Sequence, residues 1–169
     1  MNQLINDLLA YSRLERRSLV KSRLHLLTLV EGVLAEREEE IAERDVKLSV
    51  NVPCEFVTAE AEGLSQAMRN LLDNALKFTQ RVDAPQIEIG GQANDVSCVV
   101  WVKDNGIGFD MQYHDRIFEI FQRLHRAEEY PGTGIGLALV RKVMQRMGGR
   151  VWAESIVGTG STFYLEIPR

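Results

Sequence analysis

The chain has 169 residues with a hydrophobic fraction of 45%, the size of one domain with enough apolar side chains for a core. Its net charge of −4 and scattered lysines and arginines leave no basic stripe, which argues against nucleic acid as a partner. No apolar run approaches the ~20 residues of a membrane span, and Cys54 and Cys98 lack metal-ligand or disulfide-framework spacing, so they read as buried or idle thiols in a reducing cytoplasm.

In chain order, the opening stretch places Met1, Leu4, Leu8, Tyr11 and Leu14 at three- and four-residue steps, flanked by Ile5 and Leu9. It predicts an amphipathic helix in need of a partner, the tail of a longer helix. A short extended stretch around Arg23 to Leu26 leads into one helix over 27–45, whose charged run is a solvated face. "VKLSVNV" alternates as a half-buried strand, and "FVTAE" adds a short neighbour. A helix then runs over 62–80. "QIEIGGQ" and "VSCVVWVKD" form a hairpin, and short helical turns fill 111–130. A helix over 137–149 precedes a closing hairpin of "RVWAESI" and "STFYLEIP". Helices alternating with hairpin-connected strands predict an α/β fold, a two-layer sandwich with helices on one face of a mixed sheet.

The helix over 62–80 contains "NLLDNALKF", and asparagine is a mediocre helix former, so Asn70 and Asn74 four residues apart need a reason other than stability. At ~100° per residue, Asn70, Asn74 and Lys77 fall within roughly 60° of one another. Leu64, Met68, Leu71, Leu72 and Ala75 occupy the adjacent arc and form the core face. A polar stripe bordering the core can build a half-buried site, where carboxamide oxygens ligate a hard cation and an ammonium meets phosphate.

Three glycine clusters follow. In "DNGIGFD", Asp104 ends a strand, and Gly106 and Gly108 let a flat ligand lie against the chain while the carboxylate accepts from an exocyclic amine. "GTGIGL" sets Gly132, Thr133, Gly134, Ile135, Gly136 and Leu137 at a helix N-terminus, an anion site suited to polyphosphate. No "GK[ST]" follows it, and the βαβ context of a dinucleotide fold is missing. "VGTGSTF", with Gly158, Gly160 and Thr162, reads by itself as a hairpin turn.

An asparagine-rich helix, then DxGxG, "IFEIFQR", GxGxGLAL and GTGSTF resembles, in order, the boxes of the catalytic ATP-binding domain of sensor histidine kinases. The resemblance covers Leu24 to Pro168 and implies ATP and Mg2+ as ligands. It implies that Asn70, Asn74 and Lys77 hold Mg2+ and phosphates, with Asn74 the metal ligand and Phe78 beside the adenine. Asp104 takes the adenine amino group, helped by Thr162, while Gly106 and Gly108 shape the pocket floor. Phe118 and Phe121 correspond to the family's phenylalanine box, and Arg123 lies near the lid and the γ-phosphate. The short lid between Arg123 and Gly132 is similar to that of phytochrome-like kinases.

"LINDLLAYSRLE" resembles the end of the second helix of the dimerisation and phosphoacceptor hairpin, which divides the chain into 1–20 and the catalytic domain 21–169. None of His25, His114 and His125 stands in an acceptor context, so the resemblance implies a phosphoacceptor histidine upstream, a homodimer, and a response-regulator receiver domain as the next partner. The same superfamily includes gyrase-like ATPases and anti-sigma-factor serine kinases, which carry glutamate where this chain has Asn70 and so possess a general base that it lacks. A nucleotide-dependent docking module is the remaining alternative.

Overall fold

The structure, a computed structural model, describes residues 2–125 and 129–169. Met1 of the apolar stripe and 126–128 of the lid lie outside the described residues. Helix α1 (Asn2–Arg16) leads to strand β1 (Ser22–His25), helices α2 (Leu26–Ala35) and α3 (Glu38–Glu43), and strands β2 (Lys47–Asn51) and β3 (Phe56–Ala59). The long helix α4 (Ala61–Phe78) follows, then β4 (Gln86–Ala93), β5 (Ser97–Asp104), helix α5 (Gly136–Arg146), β6 (Arg150–Ile156) and β7 (Gly160–Pro168). Between β5 and α5 lie two 3-10 turns, Met111–Tyr113 and Arg116–Phe118.

Five strands form a mixed sheet in the order β2-β4-β5-β7-β6, in which β2 pairs with β4 in parallel and the other neighbours are antiparallel. The inward residues of β4, β5 and β7, among them Ile87, Ile89, Val100, Val102, Phe163, Leu165 and Ile167, are buried. Against them lie Leu64, Met68, Leu71, Leu72 and Ala75 of α4, all buried as their helical spacing predicts, together with Leu139, Val140, Val143 and Met144 of α5. The result is the expected two-layer sandwich, helices on one face of the sheet. The other face carries Trp101, Trp152 and Tyr164, with Trp152 stacked on Tyr164 at 5.1 Å.

Three expectations are corrected. β3 is no neighbour of β2; it pairs antiparallel with β1 in a separate two-stranded sheet. The single helix over 27–45 is two helices, parted at Glu36 and Arg37, because both side chains turn to α4: Arg37 donates to Asp73 at 2.7 and 3.1 Å, and Arg69 to Glu36 at 2.6 and 2.9 Å. Cys54 and Cys98 are not idle thiols but a buried disulfide. It joins the loop between β2 and β3 to the start of β5.

Helix α1 buries Leu14 in the core, while Leu4, Ile5, Leu8 and Leu9 are exposed. Its C-terminal end is tied down: Lys142 pairs with Glu15 at 3.1 Å, Arg146 donates to the Arg17 carbonyl, and Arg17 pairs with Glu60 and Glu62.

Candidate functional site

Asn70, Asn74 and Lys77 project from α4 into one cavity of about 280 Å3, alongside Phe78 at the end of the helix. The α4 core face sets this orientation, since seating the leucines on the sheet leaves the stripe at the border of the two layers. Asn70 is held at both ends of its carboxamide: Gln66 donates to its Oδ1, and its Nδ2 donates to the Gly136 carbonyl, each at 3.2 Å. Lys77 Nζ lies 4.7 Å from the Phe78 ring and has no ion-pair partner among the described residues. Burial pushes its pKa down, Arg123 adds to that, and Asp73 opposes it. Two cations, the partly buried Lys77 and the exposed Arg123, therefore line a cavity that would gain from an anion.

Asp104 sits beside this cavity at the end of β5, 6% exposed. Its Oδ1 accepts from the Gly106 amide at 2.8 Å. Burial raises its pKa to about 6, against the lowering effect of hydrogen bonds from the Gly106 and Ser161 amides. Gly106 passes so close to α4 that a Cβ there would lie 2.4 Å from the Phe78 carbonyl oxygen. At Gly108, with φ +66°, it would meet the Ile156 carbonyl oxygen at 2.2 Å. Only glycine lets both loops converge here.

The β5–β7 register corrects the residue expected to assist Asp104. Ser161 stands opposite Asp104, and Thr162 stands opposite Lys103. Directly paired residues share a face, so Thr162 points to the outer face of the sheet, while Ser161 lines the cavity. Ser161 Oγ also meets Ser155 Oγ at 2.8 Å.

The second glycine cluster supplies the opposite wall. Gly132, Thr133, Gly134, Gly136 and Leu137 line the cavity, whereas Ile135 is fully buried and caps α5. The first amides of α5 have no acceptor within the helix, and its first residues, Gly136 and Leu137, line the cavity. Arg123 lines the same wall and donates to the Tyr130 carbonyl. Phe118 is buried edge-on to Phe163, but Phe121 is 58% exposed with φ +65°, its amide donating to the Gly134 carbonyl at 2.8 Å.

Phe78 lines the cavity as expected, but several further lining residues were not foreseen. Phe78, His125 and Tyr130 form an aromatic trio with ring centroids 5.4–5.5 Å apart, and desolvation lowers the His125 pKa. Gln3 and Asp7 of α1 also line the cavity, and the Thr133 hydroxyl donates to Asp7 Oδ2 at 2.6 Å. The local sequence signals none of these, because each depends on how distant elements pack. Asp73, the carboxylate beside the stripe, has both oxygens occupied by Arg37.

A sandwich whose asparagine-bearing helix and glycine loops border one cavity lined by both apolar and polar groups defines a nucleotide-binding class of protein. Residues 59–169 match the family described as histidine kinase-, DNA gyrase B-, and HSP90-like ATPase, and the chain belongs to that family. It is 40% identical over 168 residues to cyanobacterial phytochrome A of Nostoc sp., covering 99% of this chain and 22% of that relative. The chain thus spans about a fifth of that relative's length. Full-length ShkA, in complex with AMPPNP, superposes with a TM-score of 0.84 at 28% identity, covering 98% of this chain and 35% of that one. The catalytic domain of histidine kinase ThkA superposes with a TM-score of 0.77 at 26% identity, covering 88% of this chain and 97% of that one.

Proposed function

We propose that this chain is the ATP-binding catalytic part of a cytoplasmic sensor histidine kinase, transferring the γ-phosphate of ATP to a histidine outside these 169 residues for relay to a receiver-domain aspartate. One observation carries the reading. A single cavity collects the Asn70–Asn74–Lys77 stripe, Ser161, which stands opposite Asp104 in the sheet, and the N-terminus of α5, with asparagine rather than glutamate at position 70. The 40% identity to a phytochrome and the AMPPNP complex of ShkA support it.

In this reading the adenine lies among Phe78, Gly106, Gly108 and Asp104, whose carboxylate accepts from the exocyclic amine. The phosphates lie between Lys77, Arg123 and the amides of 132–137. The donor set fits Mg2+ held jointly with phosphate and water, since the cavity offers carboxamide oxygens and no group of three or more His, Cys, Asp or Glu ligands is found among the described residues. Asn74 would hold it and Asn70 would orient the neighbouring phosphate. When bound, Mg2+ supplies charge neutralisation at the phosphates. Lys77 and the α5 dipole stabilise charge on the transferring group, and Arg123 orients it.

On α4, neither the residue in the base position nor its neighbouring carboxylate suits activation of water or serine. Asn70 is not a base, and Asp73 is clamped by Arg37. This favours transfer to a nucleophile that needs no strong base, a histidine, over the anti-sigma-type serine kinase reading. His25 caps α2 through its Nδ1, and His125 packs in the aromatic trio, so neither is placed as an acceptor. We assign 1–20 to the dimerisation hairpin, whose exposed Leu4, Ile5, Leu8 and Leu9 would meet the rest of a homodimeric bundle, and 21–169 to the catalytic domain.

Isothermal titration of the chain with ATP and GTP, with and without Mg2+, tests the site. ATP is expected to bind with Mg2+ linkage and preference over GTP, Asn74→Ala to lose most of that linkage, and Asp104→Asn to narrow the base preference. Equal binding of ATP and GTP would remove the adenine assignment. Radiolabelled ATP should leave the chain unlabelled but label a phosphoacceptor hairpin supplied in trans. Stable label on His25, His114 or His125 would overturn the acceptor assignment.

A further inference from the structure

Helix α1 reaches the nucleotide cavity through Gln3 and Asp7. Asp7 Oδ2 accepts from the Thr133 hydroxyl at 2.6 Å, and Asp7 Oδ1 accepts from Gln3 Nε2 at 2.8 Å, so both carboxylate oxygens are engaged and aimed. Thr133 lies between Gly132 and Gly134, in the loop that feeds the amides of α5 into the cavity. The C-terminal end of α1 is tied down independently by Leu14, Glu15 and the contacts of Arg17. Among the described residues, the Asp7–Thr133 hydrogen bond is the polar side-chain tie between the first half of α1 and the body of the domain. Around it Leu4, Ile5, Leu8 and Leu9 are exposed, so little apolar burial reinforces it.

Asp7 and the phosphate-facing groups Asn70, Lys77 and Gly136 line the same cavity. A carboxylate there and the terminal phosphates of a bound nucleotide are like charges sharing one cavity, beside the loop of 132–137 that the Thr133 hydroxyl ties to Asp7. We propose that Asp7 is a positioning residue of the nucleotide site: acting through Thr133, it holds the phosphate loop against α1, and the terminal phosphates displace it and release the front of that helix. The proposal rests on the nucleotide reading given above. Because coupling is reciprocal, whatever nucleotide does to the contact, the contact does to nucleotide affinity.

The experiment uses the full chain, with adenosine, ADP and ATP titrated in the presence of Mg2+. Asp7→Asn keeps an acceptor for Thr133 but removes the charge. It is expected to tighten ATP about three- to tenfold, ADP less, and adenosine not at all, with the gain shrinking at high salt. Amide exchange of residues 2–10 should rise when ATP is added to the wild type and stay unchanged with adenosine. In Asp7→Ala, which also loses the acceptor, exchange there should be high without nucleotide and gain nothing from ATP. A variant that changes all three affinities equally would reduce Asp7 to a structural contact, and one that weakens ATP selectively would make it an aid to the phosphates; either overturns the proposal while leaving the nucleotide site intact. Absence of binding by every ligand to the wild type would overturn both.

Discussion

Asp104 combines burial with two backbone donors, and burial wins, leaving its pKa at about 6. The ionised carboxylate is the better acceptor for an amine, so adenine affinity is expected to fall about tenfold as pH drops below about 6, when the charge-assisted bond becomes a neutral one. Stability runs the other way. A carboxylate whose folded pKa lies above its unfolded value of 3.8 contributes stability that is full below the unfolded value and lost as pH rises through about 6. Titrating ATP across this range in parallel with thermal melts separates the two, and an ATP affinity flat from pH 5 to 7 would remove Asp104 from the adenine contact. The neighbouring position gives a sharper test. Ser161→Ala should weaken adenine nucleotides severalfold and Thr162→Val should not, as measured by the same titration; the reverse order would refute the register argument. This distinction was out of reach of the sequence, because "GTGSTF" offers two adjacent hydroxyls and a shift of one residue moves a side chain to the other face. Asn70, Asn74, Lys77 and Asp104 were legible because a 100° helical step and a strand end with glycines place them without long-range information.

At the scale of elements, α4 was the most legible, since its apolar positions recur at helical spacing and its unusual asparagines lie to one side of them. The break between α2 and α3 was not. "EREEEIAER" contains no glycine or proline, and the helix yields because Arg37 and Glu36 gain partners on α4. The disulfide was equally hidden: two cysteines 44 residues apart give no framework, and only the docking of the loop after β2 on β5 brings them together. A closed loop of that length is worth roughly 2–4 kcal/mol through the unfolded chain. Reduction, or Cys98→Ser, should therefore lower the melting temperature by about 5–15 °C, read by calorimetry with and without a reductant, on a scale of about 2–4 °C per kcal/mol for a chain this size. The nucleotide cavity shares no residue with the bond, so ligand affinity at 25 °C should be unchanged. A melting temperature insensitive to reductant would show that the bond adds nothing to the fold.

At the scale of the whole molecule, the sandwich divides labour between its faces. The helical layer and its border hold every residue assigned to nucleotide, while the opposite face of the sheet is a cross-strand aromatic ladder. Trp101 lies across Gly90 and donates to Glu88 at 3.1 Å, and Trp152 stacks on Tyr164 with planes inclined by 8°. Both tryptophans of the chain thus sit on the side of the sheet remote from the cavity. The consequence is optical. Intrinsic emission excited at the indole band should barely change when the cavity fills, yet should shift to the red when the sheet dissolves. An emission titration with saturating ATP that moved the tryptophan spectrum as far as denaturant does would show that occupancy is transmitted through the sheet. A silent titration beside a full denaturation signal would make the two indoles clean reporters of folding, leaving the cavity to be watched through a nucleotide bearing its own fluorophore.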